Sequence, residues 1–271
     1  MHIIQGNNNI DAILKLYRLV ANGPEITSRG SKSRNIHNVA VILHAAQPVI
    51  TNFEHRKMNL AYAKREWLWY LGADPKDASI CEHATAWEKL QQEDGTFYSN
   101  YGQYLFNRDG DRPSQFEYII RTLKDDPQSR RASMVLLKAE HLFPANTDTV
   151  CTYAINFFID QGYLNMTVMM RSNDVIWGFT NDAFCFWNLY MFVYSVLKVS
   201  MTDLKTGLYT HVANSMHVYD RHYKMIADIL KSPGYKSVVV PLPTGREALQ
   251  LVLSHGKEGD GDYTVWLKTF E

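Results

Sequence analysis

The pattern most able to do chemistry is a cysteine and an arginine that a hairpin would bring together. Two runs rich in Val, Ile, Phe, Tyr and Thr, Tyr153–Asp160 and Tyr163–Met170, are joined by Gln161-Gly162. A glycine between two such runs predicts a β-hairpin. This hairpin would place Cys151 opposite Arg171, with facing side chains roughly 5 Å apart.

The open end of this hairpin would gather a thiol, a guanidinium, a hydroxyl and a carboxylate, those of Cys151, Arg171, Ser172 and Asp174. A nearby cation favours the thiolate, which is the nucleophilic form of cysteine. A buried structural cysteine beside a surface salt bridge fits the hairpin equally well. Both interpretations stay open at this point.

A second candidate is Glu66, which lies in the predicted helix Met58–Leu71 among the aromatic residues Tyr62, Trp67, Trp69 and Tyr70. A carboxylate in such surroundings is expected to have a raised pKa, which suits proton transfer. The same residues allow an ordinary surface glutamate paired with Arg65 or Lys64.

Several basic residues could bind a phosphate. Arg29 lies in the polar loop Thr27–Arg34, where hydroxyl and guanidinium donors suit a phosphate, although a solvated loop is the simpler interpretation without context. Arg130 and Arg131 precede the predicted strand Ala132–Leu137. Adjacent side chains usually diverge, so one pocket rarely explains both.

Two more predicted elements carry candidate residues. The strand Leu208–Tyr219 would present His217 and Tyr219 on one side, because side chains alternate along a strand. The helix Asn181–Leu197 would carry Asp182 in its first turn, where an acidic residue often only stabilises the helix dipole.

The remaining pattern predicts alternating helices and strands. Further helices are predicted at Ile10–Val20, Ala84–Gln92 (which holds Trp87), Gln115–Lys124, Arg221–Leu230 and near Arg246–Leu253, and further strands at Ile36–Ile50, Ser237–Pro241 and near Tyr263–Thr269. The turn Asp94–Gly102 contains Tyr101 and suits the lining of a pocket, though many such turns only link elements. No internal repeat or linker is visible, so one domain spanning residues 1–271 is predicted.

Composition narrows the class of protein. The 271 residues carry a formal net charge of zero, so no basic field is available to hold nucleic acid non-specifically. Three widely spaced cysteines argue against a disulfide framework or a zinc site and for a reducing compartment. The first residues lack the pattern of a signal peptide. Ala183–Leu197 is too short to span a membrane, and a cytoplasmic protein is therefore expected.

These pieces resemble, in order and spacing, the thymidylate synthase and pyrimidine hydroxymethylase family, from about Ile10 to Tyr223. The resemblance rests on Arg29, Glu66-Trp67, Trp87, Tyr101-Gly102, Ser129-Arg130-Arg131, Cys151, Arg171-Ser172-Asn173-Asp174 and His217-Val218-Tyr219. It implies an α+β fold with a large twisted mixed β-sheet covered by helices. It also implies a homodimer that pairs sheet to sheet.

Three departures from the synthase pattern carry the prediction of substrate. This chain has Thr152 where synthases have His, Met170 where they have Gln, and Asp182 where they have Asn. An Asn side chain suits uracil, because it can donate to O4 and accept from the N3 proton. A carboxylate can accept from the amino group of cytosine and share a proton with N3. The exchange of Asn for Asp should therefore favour cytosine over uracil. The runs Ser-Asn-Tyr-Gly, Met-Arg-Ser-Asn-Asp-Val, Asn-Asp and Met-His-Val-Tyr look most similar to the deoxycytidylate (dCMP) hydroxymethylases of bacteriophages.

The resemblance implies a mechanism in which the Cys151 thiolate adds to the pyrimidine 6-carbon and activates the 5-carbon. The activated carbon then attacks the methylene of 5,10-methylenetetrahydrofolate, and no metal takes part. Water finally adds to the exocyclic methylene, with Glu66 as the group that organises it. Tyr101 and Asp182 complete the implied catalytic set.

The resemblance also assigns binding roles. Arg29, Arg171 and Ser172 would hold the 5′-phosphate, and His217 and Tyr219 the 3′-hydroxyl. Trp87, Asp174 and Glu66 would contact the folate. Arg130 and Arg131 would reach the nucleotide of the neighbouring subunit.

Alternatives remain at this stage. A dCMP or dUMP methyltransferase would use the same site and end with hydride transfer, and relatives that act on CMP also resemble this chain. A different class is a nucleotide-binding protein without catalysis, which intact Cys151, Glu66 and Arg171 argue against. Dispersed arginines give direct nucleic-acid binding little support, and no membrane partner is expected.

Overall fold

In the computed structural model of this chain, residues 1–28, 30–143 and 148–270 are described. The strands are β1 (His2–Gln5), β2 (Glu25–Ser28), β3 (Ser31–His44), β4 (Asn52–Phe53), β5 (Arg56–Lys57), β6 (Ser133–Val135), β7 (Thr152–Asp160), β8 (Tyr163–Met170), β9 (Asn173–Asp174) and β10 (Lys205–Tyr219). The α-helices are α1 (Asn9–Ala21), α2 (Leu60–Gly72), α3 (Gly102–Leu105), α4 (Gln115–Asp125), α5 (Gly178–Lys198), α6 (Tyr223–Lys231), α7 (Gly245–Leu253) and α8 (Asp262–Lys268). Short 3₁₀ helices are found at Ser79–Glu82, Thr85–Leu90, Ala139–Leu142 and Asp220–His222.

Eight of the described strands form one sheet in the order β1-β3-β10-β8-β7-β6, with β2 beside β3 and β9 beside β10. The long central strand β10 runs antiparallel to β3 and parallel to β8. Helices α1, α4 and α5 pack against this sheet. The predicted α+β class with a mixed, helix-covered sheet is confirmed.

The predicted hairpin is also confirmed. Strands β7 and β8 pair antiparallel, beginning with Asp160 opposite Tyr163. The turn residues Gln161 and Gly162 have φ values of 48° and 81°, the left-handed conformation that suits a two-residue hairpin turn. A register shift near the open end leaves Thr152 opposite Met170.

Helix α5 is buried around nearly its whole circumference and forms the centre of the core. Trp187 Nε1 donates to the carbonyl of Ala45 at 2.9 Å, and the Tyr190 hydroxyl donates to the carbonyl of Leu164 at 2.8 Å. These bonds fix the helix against the sheet, and with it the position of its first turns. No helix in the described part of the chain is long and apolar enough to cross a membrane.

Three local predictions were wrong. Helix α5 begins at Gly178, so Asp182 lies in its second turn rather than its first. Ser237–Pro241 forms no strand with the described residues. Tyr263–Thr269 is largely helix α8, in which Tyr263, Thr264 and Leu267 are buried at helical spacing. Burial of one helical face outweighs the β-propensity of this stretch.

Candidate active site

A cavity of about 930 Å³ opens where α2, the loop before β7 and the first turns of α5 meet. Its lining includes Arg56, Tyr62, Glu66, Tyr70, Trp87, Ser99, Tyr101, Asp148, Cys151, Arg171, Trp177 and Asp182. The fold thus brings six of the predicted site residues together: Glu66, Trp87, Tyr101, Cys151, Arg171 and Asp182.

Cys151 lies at the entrance to β7 and is partly exposed. Its carbonyl accepts from the backbone N–H of Arg171 at 2.8 Å, which confirms that the hairpin brings these residues together. The Arg171 guanidinium donates through Nη2 to the carbonyl of Thr149 at 2.6 Å and through Nε to that of Val150 at 3.1 Å. The arginine therefore anchors the loop that carries the thiol.

The same loop is anchored from a second side by a buried carboxylate. Asp148 is 4% exposed, and its two oxygens accept from the backbone N–H of Ser99 at 2.7 Å and from the Ser99 hydroxyl at 2.8 Å. Burial raises the pKa of Asp148, while these hydrogen bonds and the charge of Arg171 oppose the rise. Sequence analysis did not identify this pair, because its members lie 49 residues apart.

Glu66 projects from α2, a helix that begins with the side chain of Asn59 accepting from the Tyr62 N–H at 3.0 Å. Glu66 is 5% exposed, and burial raises its pKa to about 8, with the nearby Asp182 adding to the effect. The surface pairing considered from sequence is wrong, because Glu66 is buried and the Lys64 ammonium donates instead to backbone carbonyls.

Asp182 is a second acidic group in the cavity. It is partly buried, and its Oδ2 accepts from the side-chain amide of Asn173 in β9 at 2.7 Å. Burial raises the pKa of Asp182 to about 7; the bond from Asn173 opposes this rise and Asp174 adds to it. Two carboxylates with raised pKa values therefore face one cavity, a combination typical of functional sites.

The Tyr101-Gly102 turn packs tightly under the cavity. The Tyr101 ring lies between Tyr70 and Phe186, with centroids 5.2 and 6.0 Å away. A Cβ atom at position 102 would lie 1.6 Å from the carbonyl oxygen of Tyr70, so this close approach requires glycine. Burial and the adjacent Cys151 raise the pKa of Tyr101.

Other predicted residues lie outside the lining of this cavity. The Asp174 carboxylate accepts from the backbone N–H groups of Ile176 and Trp177, at 3.2 and 3.0 Å, and so shapes the turn before α5. His217 pairs with Asp174 across β10 and β9, and its ring lies 5.0 Å from that of Tyr219.

Four more residues that were predicted to bind the nucleotide do not line the cavity or lie outside the described residues. Arg130 and Arg131 are exposed just before β6. Arg29 lies outside the described residues. Ser172 follows Arg171 and is partly exposed, but it does not line the cavity.

The structure adds residues that sequence analysis did not assign to the site. Trp177 is 51% exposed at the cavity, and the guanidinium of Arg221 lies 4.9 Å from its ring centroid. Arg56 donates through Nη2 to the carbonyl of Ile176 at 2.9 Å, and burial lowers the pKa of Arg56. Tyr62 contacts both Trp87 and Glu66. Its spacing of four residues from Glu66 on one helix could have indicated that contact.

Comparison with known proteins first defines the class. The fold is similar to that of the thermostable thymidylate synthase A from Bacillus subtilis, with a TM-score of 0.68 and 22% identity, covering 83% of this chain and 84% of that one. A sequence model described as thymidylate synthase matches residues 14–249. The chain therefore belongs to the thymidylate synthase family.

Individual relatives of two kinds are equally similar to this chain. The deoxycytidylate 5-hydroxymethyltransferase of Enterobacteria phage T4 is 29% identical over 178 residues, which cover 62% of this chain and 71% of that protein. Thymidylate synthase 1 of Bacillus subtilis strain 168 is 29% identical over 163 residues, 58% of this chain and 55% of that protein. Overall identity thus does not separate the two activities.

Membership of this family implies a folate-dependent one-carbon transferase, and the residues that line the cavity suit a ligand with flat rings such as a folate. Its walls include the aromatic side chains of Tyr62, Trp87 and Trp177, suited to flat rings, and the buried Oε2 of Glu66 has no partner among the described residues. No cluster of three or more His, Cys, Asp or Glu side chains within the described ranges could hold a metal ion.

Proposed function

We propose that this protein is a deoxycytidylate 5-hydroxymethyltransferase, which converts dCMP, 5,10-methylenetetrahydrofolate and water to 5-hydroxymethyl-dCMP and tetrahydrofolate. The observation that carries the proposal is the Asp182 carboxyl group in the same cavity as Cys151 and Glu66. A protonated carboxyl can donate to the unprotonated N3 of cytosine and accept from the 4-amino group. The raised pKa of Asp182, about 7, makes the protonated form available near neutral pH.

The nucleophile in this proposal is Cys151. A pyrimidine 5-carbon is a poor nucleophile, and covalent addition of sulfur at the 6-carbon makes it reactive. Arg171 and Asp148 hold the loop on both sides of the thiol, so that the attacking sulfur keeps a fixed position. Expulsion of the Cys151 sulfur at the end of the reaction restores the aromatic ring.

The folate would supply the one-carbon unit at the oxidation level of formaldehyde. We assign Trp87 to stacking on the folate and Asp174 to hydrogen bonding with it. Glu66, buried with a raised pKa, is suited to proton transfer during the addition of water. Tyr101 lies at the same cavity and completes the set of polar groups around the reacting ring.

The remaining contacts to dCMP would come from both copies of a homodimer. Arg29, Arg171 and Ser172 would hold the 5′-phosphate, and His217 and Tyr219 the 3′-hydroxyl. Arg130 and Arg131 would reach the site of a second copy, for which their exposure is suited. Phe158, Tyr163 and Met169 are exposed on one face of the β7–β8 hairpin, which supports sheet-to-sheet pairing.

One alternative has specific support. A methyltransferase that acts on dCMP or dUMP would use the same cavity, and this chain is as similar to thymidylate synthase as to the phage hydroxymethyltransferase. That reaction oxidises the folate, so dihydrofolate would be released instead of tetrahydrofolate.

Product analysis tests the proposal. The purified protein is incubated with 5,10-methylenetetrahydrofolate and, separately, with dCMP, dUMP or CMP, and the nucleotide and folate products are separated by chromatography. We expect 5-hydroxymethyl-dCMP and tetrahydrofolate, with dCMP as the preferred substrate. Dihydrofolate with a methylated nucleotide, or preference for dUMP or CMP, would contradict the proposal.

A further inference from the structure

Three side chains at the cavity form a chain of hydrogen bonds that ends on Glu66. Trp87 Nε1 lies 2.8 Å from the hydroxyl oxygen of Tyr62, and that oxygen lies 3.3 Å from Oε1 of Glu66. The three residues come from the 3₁₀ helix Thr85–Leu90 and from α2. Tyr62 and Glu66 are four residues apart on α2 and so lie on one face.

The chemistry of the donor and acceptor groups determines the direction of these hydrogen bonds. The indole N–H can only donate, so the Tyr62 oxygen accepts from Trp87. The single proton of the Tyr62 hydroxyl is then left to donate to Glu66. Trp87 therefore orients Tyr62, and Tyr62 orients Glu66.

The two oxygens of Glu66 become different as a result. Oε1 is held by Tyr62, while Oε2 is buried and has no hydrogen-bond partner among the described residues. Glu66 lines the cavity, so its carboxyl group lies where a reacting group would meet it. A buried acceptor without a protein partner calls for an explanation, and a catalytic role is one such explanation.

We propose that Tyr62, oriented by Trp87, is a positioning residue that fixes the Glu66 carboxylate in the orientation in which it receives the proton of the attacking water. This inference rests on the proposed hydroxymethyltransferase function. In the step concerned, the water oxygen bonds to the exocyclic methylene carbon and one water proton passes to the Glu66 carboxylate. The electron pair displaced into the ring expels the Cys151 sulfur from the 6-carbon, so charge and atoms balance.

The same contact also affects the pKa of Glu66. The hydrogen bond from Tyr62 lowers the pKa of Glu66, whereas burial and then the charge of Asp182 raise it to about 8. Tyr70 and Cys185 are further titratable groups that interact with Glu66. Only the ionised carboxylate can accept a proton from water. Loss of the Tyr62 hydroxyl therefore raises this pKa further, and the ascending limb of the pH profile moves to higher pH.

The test compares Tyr62→Phe with the wild-type protein in single-turnover reactions with 5-tritiated dCMP. Tritium release reports loss of the proton from the 5-carbon, before water adds, and chromatography reports the hydroxymethylated product. We expect tritium release to stay within about threefold of wild type, while product formation slows about tenfold or more. We also expect the ascending limb of kcat against pH to move upward.

Tyr194→Phe is the matched control. The Tyr194 hydroxyl also donates over 3.3 Å, to the backbone carbonyl of Leu204, and Tyr194 does not line the cavity. Removal of the Tyr194 hydroxyl should not change the interval between tritium release and product formation. It should not move the ascending limb of kcat against pH either. Trp87→Phe keeps an aromatic ring but removes the donor to Tyr62, and it should lengthen the interval less than Tyr62→Phe does.

The outcomes separate this inference from the proposed function. A wild-type protein that makes dihydrofolate and a methylated nucleotide would overturn the proposed function, and with it the water step. A wild-type protein that makes 5-hydroxymethyl-dCMP, together with a Tyr62→Phe variant in which either the interval or the pH limb is unchanged, would overturn the role of Tyr62 alone. A longer interval between tritium release and product formation in Tyr62→Phe, together with an ascending limb at higher pH, supports the role of Tyr62.

Discussion

Replacement of Glu66 by glutamine should change how the stability of this protein depends on pH. Folding moves the Glu66 carboxyl from water into a site where it is 5% exposed, and its pKa rises from 4.5 to about 8. The folded state therefore binds more protons than the unfolded state between these values. The free energy of unfolding must then fall as pH rises through this window.

The magnitude follows from the size of the shift. Each pKa unit corresponds to about 1.4 kcal/mol, so full ionisation of Glu66 would cost the folded state roughly 5 kcal/mol. About 2–3 kcal/mol of this develops between pH 5 and pH 7, where the unfolded carboxyl is ionised and the folded one is not. Asp182 acts in the same direction, because its pKa is also raised, to about 7.

The assay is urea unfolding of wild type and Glu66→Gln at a fixed protein concentration, at several pH values from 5 to 8. The glutamine amide lacks a titrating proton, so the variant should lose about 2–3 kcal/mol less stability than wild type between pH 5 and pH 7. If burial of the glutamine amide destabilises the variant by a constant amount, its whole curve of stability against pH is displaced. The change in stability between pH 5 and pH 7 then stays the same. Glu93→Gln, at an exposed position, should leave the pH dependence of wild type unchanged. Parallel curves for wild type and Glu66→Gln would refute the reasoning.

Three further predictions concern groups around the cavity. Asp182→Asn should lower kcat/KM for dCMP relative to dUMP by about ten- to a hundredfold, because the pairing of the protonated carboxyl with N3 and the 4-amino group of cytosine is lost, and an unchanged ratio would remove the basis for choosing cytosine. Asn173→Ala should raise the pKa of Asp182 above about 7 and move the alkaline limb of kcat/KM for dCMP to higher pH; an unmoved limb argues against the protonated form. Ser99→Ala should lower the free energy of unfolding by about 1–3 kcal/mol because buried Asp148 loses a donor, whereas exposed Ser232→Ala should have no such effect.

The elements built from local signals were predictable. Gln161-Gly162 between two β-rich runs specified the hairpin, and the hairpin in turn specified the meeting of Cys151 with Arg171. Aromatic neighbours along α2 made burial of Glu66 one of two open possibilities, and it is the one that the structure shows. In each case the information lies within about 20 residues, where chain geometry leaves few alternatives.

Contacts between distant segments could not be predicted in this way. Ser99 and Asp148 meet only because the turn before α3 packs against the loop before β7. The final stretch from Tyr263 folds as a helix because its buried residues face α5, as the bond from Tyr263 to Asn188 illustrates.

The central claim is that the Cys151 thiolate attacks a cytosine ring selected by Asp182. Release of tritium from 5-tritiated dCMP and dUMP, measured for wild type and Cys151→Ser in the presence of 5,10-methylenetetrahydrofolate, tests it most directly. We expect wild type to release tritium preferentially from dCMP, and Cys151→Ser to release none from either nucleotide. Release by Cys151→Ser at a rate close to wild type, or faster release from dUMP by the wild-type protein, would contradict the claim.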